Sequence, residues 1–265
     1  MTTFQTFASS SSGNAALLTV GSARLLVDMG VSCRRLCRAL ACLGLTPGDL
    51  AAVVVTHEHT DHIAGLATYI KKYATPILCT PGTACQLRRR LPAIEALLRP
   101  AELGETVRWG DAAVTLLPTS HDCAQGAAVY AAGPEGTVGL LTDTGYILEE
   151  TGRRLLGVDL LVLESNHQEE MVLAGPYPYG LKRRILGPKG HLSNGAAARY
   201  AAASAQAGTR SILLAHLSQE NNTPQLALET VGGALEAAGW SGRLEAAPSD
   251  GASGLYTLER TVCRE

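Results

Sequence analysis

The stretch VVVTHEHTDHIAG, residues 53–65, decides the fold of this chain. It opens with three β-branched residues, which favour a buried strand, and it ends at a glycine. Four potential metal ligands follow within six positions: His57, His59, Asp61 and His62. In an extended segment the first two lie on the same side, so they can bind one ion. The other two come where the chain turns into a helix, and they can face a second ion.

The composition predicts a globular chain. It has 265 residues, of which 46% are hydrophobic, and a formal net charge of −2. No long linker rich in Gly, Ser or Pro interrupts it, which favours a single domain over residues 1–265. No apolar stretch reaches the roughly 18 residues of a membrane span, and the N-terminus lacks a basic start before an apolar run. We therefore expect a cytoplasmic protein without a membrane partner.

The cysteines predict reduced, mostly structural thiols. They are odd in number and contain no C-x-x-C pair, and the expected compartment is reducing. The seven are Cys33, Cys37, Cys42, Cys79, Cys85, Cys123 and Cys263.

The order of predicted elements indicates the fold class. Strands are predicted over residues 3–9, 15–20, 23–30, 51–56, 77–80, 105–117 (a hairpin), 127–133, 137–143, 158–165 and 211–218, with two weak strands near the end. Helices are predicted over residues 33–43, 63–74, 81–91, 193–208 and 223–239. Residues 166–190 are predicted as a loop. Strands come first, then strands alternating with helices, then strands again, which two packed mixed sheets with outer helices would satisfy.

THEHTDHIAG matches the H-x-H-x-D-H motif in full, so the chain resembles the metallo-β-lactamase superfamily. Later ligand-type residues follow predicted strands in the family's order. They are His121 after AVTLLPTS, Asp143 after VGLLT and His216 after SILLA. The resemblance covers nearly the whole chain. It implies an α/β fold, the αββα sandwich, with the site at one edge.

The resemblance also implies a ligand set for two divalent ions. One ion would be held by His57, His59 and His121, the other by Asp61, His62 and His216, with Asp143 bridging. Two ions roughly 3.5–4 Å apart would share a hydroxide and hold the substrate's oxygens. Asp61 is expected to take part in catalysis as well. Nitrogen and oxygen ligands suit zinc and also manganese, so the metal stays open.

Two hydrolytic functions remain: a phosphodiesterase acting on nucleic acid, and a glyoxalase-II-like thioester hydrolase. Three features favour the nuclease. His191 in GHLSN resembles histidines of ribonuclease Z and β-CASP nucleases, and Glu164 ends a strand where those enzymes have a carboxylate that orients that histidine. Basic clusters occur at residues 71–73, 88–90 and 181–190. We therefore predict that Glu164 and His191 form a catalytic hydrogen-bonded pair beside the metals.

Each of these features has a simpler interpretation. GHLSN can be only a helix start, because Ser193 or Asn194 is a good N-cap. Glu164 can merely solvate a strand end, and His167 in the same loop can be a bystander. The runs of Lys and Arg can be solvated helix faces.

A narrower resemblance, to the YycJ/WalJ group of bacterial proteins, rests on FASSSSGNAALL, LLVDMG, THEHTDHIAG, LLTDTGY, VLESNH, GHLSN and AHLSQENNTP. It implies a 5′→3′ DNA exonuclease associated with mismatch repair. The resemblance therefore favours DNA over RNA as the substrate. Substrate contacts are expected from Ser12 and Asn14 of the serine loop, and from Lys182 and Lys189. The serine loop can equally be an ordinary polar hairpin turn, and the oligomeric state stays open.

Overall fold

The first half of the chain forms one of two mixed β-sheets in the computed structural model, which describes residues 1–259. Its strands are β1 (Thr2–Ser10), β2 (Gly13–Val20), β3 (Ala23–Val27), β4 (Ala52–Val54), β5 (Ile77–Cys79) and β6 (Leu98–Pro100). The first three form an antiparallel meander, and β3 to β6 run parallel. The predicted strands are confirmed, and β6 is an addition to them.

The second sheet comprises β7 (Thr106–Trp109), β8 (Ala112–Pro118), β9 (Ala127–Gly133), β10 (Gly136–Leu141), β11 (Leu160–Glu164), β12 (Ser211–Ala215) and β13 (Arg243–Ala246). The first four pair antiparallel, and β10 to β13 run parallel. The last described strand, β14 (Tyr256–Leu258), returns to the first sheet and pairs with β1. Each sheet therefore has seven strands.

Helices cover the outer face of each sheet. They are α1 (Cys33–Cys42), α2 (Thr60–Ile63), α3 (Leu66–Tyr69), α4 (Pro81–Arg90), α5 (Glu149–Leu155), α6 (Glu169–Ala174), α7 (Tyr179–Ile185), α8 (Asn194–Gln206) and α9 (Pro224–Ala237), with 3₁₀ turns at Pro47–Asp49 and Pro92–Leu97. Within residues 1–259, no helix is long and apolar enough to cross a membrane.

Three apolar layers hold these elements together. Side chains of both sheets, such as Leu18 and Val162, meet in the central layer. The second layer packs Leu26 and its neighbours under α1, α3 and α4. The third packs Leu163 and its neighbours under α5, α8 and α9. The architecture is the predicted αββα sandwich.

Two of the predicted elements were wrong, one after β4 and one before α8. The helix expected over residues 63–74 is two short helices, α2 and α3, separated at Gly65. The chain passes against the segment before α1 there: the Gly65 N–H donates to the carbonyl oxygen of Met29 at 2.9 Å, outside the helix, and a Cβ on Gly65 would lie 2.1 Å from the carbonyl oxygen of Val31. Tertiary packing therefore overrides the helical pattern. The predicted loop over residues 166–190 contains α6 and α7, which are too short to show a helical periodicity.

The described cysteines and caps agree with the sequence. All six cysteines up to Cys123 are free, and Cys263 lies outside the described residues. Ser32 caps α1 through a hydrogen bond from the Arg35 N–H, and Ser193 caps α8 in the same manner.

Gly30 fixes the distance between the first sheet and α2, because a Cβ there would lie 1.6 Å from the carbonyl oxygen of Asp61. We predict that Gly30→Ala lowers the free energy of unfolding by about 3 kcal/mol, since backbone must move to relieve the overlap. Gly233→Ala is the matched control. Its added Cβ meets nothing within 4 Å, and a helical alanine should stabilise by about 0.5–1 kcal/mol. Urea unfolding of both variants measures the difference, and equal midpoints would contradict the packing argument.

Candidate metal centre

Seven ligand-type side chains meet at one edge of the sandwich. His57 and His59 follow β4, Asp61 and His62 lie in α2, and His121, Asp143 and His216 follow β8, β10 and β12. Strands β8, β10 and β12 run in the same direction, so the residues at their carboxyl ends lie at the same edge of the sheet. The sequence predicted these seven residues, and the fold brings all of them together.

Their nitrogen and oxygen atoms form overlapping clusters, in each of which the atoms lie within 4.8 Å of one another. The clusters are His57, His59 and His121; Asp61, His62 and His216; and His57, His62 and Asp143. The carboxylate of Asp143 lies between the first two. Its Oδ2 is 3.3 Å from His62 Nε2, and its Oδ1 is 3.7 Å from His121 Nε2.

Backbone strain is concentrated at this site. Asp28, Asp143 and His216 have φ values of 60°, 57° and 55°, and they are the non-glycine residues of the described chain with positive φ. A left-handed backbone costs a non-glycine residue roughly 1 kcal/mol or more, and such residues cluster at functional sites. All three have side chains in or directly behind the clusters.

The donor set fits metal ions. Three buried ligand atoms lack a hydrogen-bond partner among residues 1–259: His57 Nε2, Asp143 Oδ2 and His216 Nε2. Buried polar atoms without partners are costly, and a cation would satisfy them. Burial, aided by neighbouring imidazoles, holds the pKa of His57 well below its usual value, which keeps the ring in its neutral, metal-binding form.

Asp28 is a site residue that the sequence analysis missed. Its Oδ2 accepts a hydrogen bond of 2.8 Å from His62 Nδ1, and its Oδ1 accepts one of 2.8 Å from the Thr56 N–H. The contact fixes the tautomer of His62 and turns Nε2 toward the cluster. Asp28 comes directly after β3, but no spacing rule connects it with His62.

Glu164 lies behind the other side of the cluster and is fully buried. Its Oε2 accepts hydrogen bonds from the N–H groups of Thr144 and Leu192, both 3.0 Å. Its Oε1 accepts from the Nδ1 atoms of His191 and His216, both 2.9 Å. Burial alone would raise the pKa of Glu164, but the charge and hydrogen bond of His191, together with the hydrogen bond of His216, lower it to about 2. The carboxylate is therefore ionised and orients two imidazoles at once.

The predicted hydrogen bond between His191 and Glu164 is present. The His191 side chain is 23% exposed, and its ring lies 5.1 Å from that of His121 and 5.3 Å from that of His216, centre to centre. Burial opposes protonation, but the Glu164 carboxylate prevails and raises the pKa of His191. Because Nδ1 is used by Glu164, Nε2 is the nitrogen left for other partners. The carbonyl of Gly190 in the same loop accepts from His121 Nδ1 at 3.0 Å.

The cleft over the clusters has a volume of about 210 Å³. Its lining includes Ser11, Asp122, Arg184 and Lys189 besides the ligands. The guanidinium of Arg184 donates to Asp122 Oδ2 at 2.6 Å, so its charge is largely compensated. Lys189 forms no ion pair with a described carboxylate. The cleft therefore presents one uncompensated cation next to the ligand residues.

The other residues predicted to contact substrate are less directly placed. Asn14 is buried, and its Nδ2 lies 3.1 Å from His62 Nε2 and 3.3 Å from Asp61 Oδ2. Ser12 is on the exposed turn between β1 and β2, but Ser11 rather than Ser12 lines the cleft. Lys182 points elsewhere, because its Nζ donates to the carbonyl of Leu173.

A model of the beta-lactamase superfamily domain matches residues 23–217. The chain belongs to this superfamily. It is 33% identical over 231 residues to exodeoxyribonuclease WalJ of Streptococcus pneumoniae serotype 2 (strain D39), a match that covers 86% of each chain. It is 33% identical over 240 residues to exodeoxyribonuclease YycJ of Bacillus anthracis, covering 89% of this chain and 90% of that one. The resemblance to the YycJ/WalJ group is thus confirmed.

Solved structures show the same fold at low identity. The metallo-β-lactamase fold protein YhfI of Bacillus subtilis superimposes with a TM-score of 0.70 at 18% identity, covering 96% of this chain and 100% of that one. Zinc-bound PqqB of Methylobacterium extorquens gives a TM-score of 0.72 at 16% identity, covering 97% and 100%. The predicted superfamily fold is therefore confirmed.

Removing the charge of Asp28 tests its role behind the ligands. We predict that Asp28→Asn weakens metal binding by about 10- to 100-fold, because the amide no longer fixes the tautomer of His62. Titration of metal against a competing chelator measures the affinity. Glu236→Gln, an exposed carboxylate on α9, is the control and should bind metal like wild type. Equal affinities for the two variants would remove Asp28 from the metal centre.

Proposed function

We propose that this chain is a DNA exonuclease that hydrolyses phosphodiester bonds with the help of two divalent metal ions. The observation that carries the proposal is the 2.9 Å hydrogen bond between Glu164 and His191 beside a complete ligand set. Such a pair speeds phosphodiester hydrolysis, because the departing sugar oxygen is a poor leaving group and gains from a proton donor. The names of the WalJ and YycJ relatives support DNA as the substrate.

We also propose that the exonuclease works in the 5′→3′ direction, takes part in DNA repair and is located in the cytoplasm. The family resemblance supports these three properties. The thioester-hydrolase alternative is not retained. Neither relative bears the name of such an enzyme, and a thiolate leaves without needing the proton that His191 is positioned to give.

The ligand sets proposed for the two ions are those inferred from the resemblance, with Asp143 shared between them. Their ligand atoms are nitrogen and oxygen only, which suits zinc or manganese. When bound, divalent ions in such a site polarise the phosphate oxygens and lower the pKa of water to near 7.

The chain's own residues handle the protons. The oxygen of water forms a bond to phosphorus, and the bond from phosphorus to the sugar oxygen breaks with its electron pair staying on that oxygen. His191 gives the departing oxygen a proton from Nε2, while Glu164 holds Nδ1. Asp61 takes the proton of the attacking water at the carboxylate oxygen that does not face His62 and His216, and passes it to solvent, since its side chain is 21% exposed. General acid–base catalysis of this kind contributes roughly 10²–10⁴-fold.

We propose that Lys189 contacts phosphate, because it lines the cleft and has no described acidic partner. Asn14 steadies Asp61 and His62 rather than reaching into the cleft. Ser12 and Lys182 lie at the periphery, where they can contact only nucleotides away from the scissile bond.

The nuclease assignment predicts 5′-phosphorylated mononucleotides from end-labelled DNA, and no turnover of S-lactoylglutathione. Single- and double-stranded DNA and RNA are compared with metal-loaded protein. Asp143→Asn should abolish the activity together with most of the bound metal, since one carboxylate serves both ligand sets. Asp111→Asn, an exposed acid in the turn after β7, should behave as wild type. Thioester cleavage with intact oligonucleotides would overturn the proposal.

His191→Ala should keep the metal content of the wild type but lower the rate on DNA by about 10²–10³-fold, because the departing oxygen goes unprotonated. The loss should shrink on a nitrophenyl phosphodiester, whose leaving group needs no proton. Metal analysis and single-turnover rates on both substrates check this. A loss of the same size on both would assign His191 a different role.

A further inference from the structure

A second cavity adjoins the metal cleft, and His191 lines both. The cavity has a volume of about 630 Å³, three times that of the cleft. Pockets for small molecules usually measure about 300–1,000 Å³, so the cleft has room for a phosphate but not for a nucleoside. If the chain cleaves nucleic acid, the bases flanking the scissile phosphate must lie outside the cleft.

The cavity wall is largely apolar and keeps large side chains in contact with water. Tyr146 is 48% exposed, Leu173 62% and Leu186 37%. These three are among eight exposed large apolar side chains in residues 1–259, and all three line this cavity. Clustered exposure of this kind marks a binding surface. The Tyr200 ring also lines it, anchored by a 2.8 Å hydrogen bond from its hydroxyl to the carbonyl of Gly152.

The same wall carries a few polar groups. Arg199 is exposed and forms no ion pair with a carboxylate in the described chain. His167 is buried, and the N–H of Asn194 holds its backbone carbonyl at 2.9 Å. Burial lowers the pKa of His167, so its ring is neutral and offers one donor and one acceptor. Glu169 also lines the cavity, with Oε1 held by the Ser193 hydroxyl at 2.8 Å.

The proposed role of His191 as proton donor determines which nucleotide of the substrate lies in the larger cavity. When 5′-phosphorylated products form, the bond that breaks joins phosphorus to the 3′ oxygen of the upstream nucleotide. The electron pair stays on this oxygen, which takes the proton from His191 Nε2. That oxygen must therefore lie against the imidazole at the moment of cleavage. The sugar and base attached to it then lie beside His191, where the larger cavity begins.

We infer that this cavity binds the base and sugar of the 5′-terminal nucleotide of a DNA strand, with Tyr146 stacking on the base and Arg199 facing the terminal phosphate. The inference rests on the proposed function and adds a substrate subsite to it. An apolar cavity with one aromatic ring suits bases of any identity, because every base has a π-face. His167 and Glu169 supply the polar contacts to the base edge.

The test compares a natural 5′-terminal nucleotide with an abasic tetrahydrofuran in the same oligonucleotide. Wild-type protein should lose about 10- to 100-fold in kcat/KM when the base is removed, as should Tyr146→Ala on the natural strand. On the abasic strand, Tyr146→Ala and wild type should be equal, because the stacking partner is gone from both. Tyr146→Phe keeps the ring and should restore the wild-type values on both strands.

Tyr179→Ala is the matched control, because Tyr179 is an exposed tyrosine on α7 that does not line the cavity. It should leave the ratio between the two strands unchanged. An equal loss for Tyr146→Ala on both strands, or a wild type that ignores removal of the base, would overturn the subsite while leaving the nuclease activity in place. A wild type that cleaves no strand would remove the proposed function, and the subsite with it.

Discussion

The buried carboxylate of Glu164 is the group on which the arrangement of the site depends. Four hydrogen bonds converge on its two oxygens, from the Thr144 and Leu192 amides and from two imidazoles. A buried charge with fewer donors would be strongly unfavourable. Moving any one of the donor segments away from Glu164 would therefore cost free energy. The end of β11 thereby holds the ligand His216 and the proposed acid His191 in a fixed relation.

The residues of the candidate metal centre were predictable because each stands at the end of an apolar strand or, for Asp61 and His62, in the short helix α2 that follows β4. The hydrogen bond of His191 with Glu164 was also predictable, since Glu164 ends a strand and His191 precedes a helix, as the matching residues do in the nucleases that the chain resembles. Asp28 was not, because its contact with His62 spans 34 positions and depends on how the end of β3 packs against α2. The break at Gly65 has the same origin: the Gly65 N–H bonds to the carbonyl of Met29, in a segment distant in the sequence, and not within a helix.

The basic residues after α6 also show what sequence cannot decide. Residues 181–190 look like one uniform positive cluster, yet their side chains have different surroundings. Arg184 is compensated by Asp122, Lys182 caps the carbonyl of Leu173, and Lys189 remains available in the cleft. Electrostatic attraction of an anion to the cleft is therefore local to one side chain beside the candidate metal centre. A count of positive residues would overestimate it, because paired cations release few counterions.

The three residues with a left-handed backbone and the three buried ligand atoms without hydrogen-bond partners also affect how much of the protein persists in a cell. Each raises the free energy of the metal-free native state, so that state lies closer to unfolding than the fold alone would set it. An ion that binds only the native chain stabilises it in proportion to the logarithm of its concentration. Proteases attack chains that open, and the open fraction rises when stability falls. The steady-state amount of this protein should therefore follow the supply of the proposed metal ion.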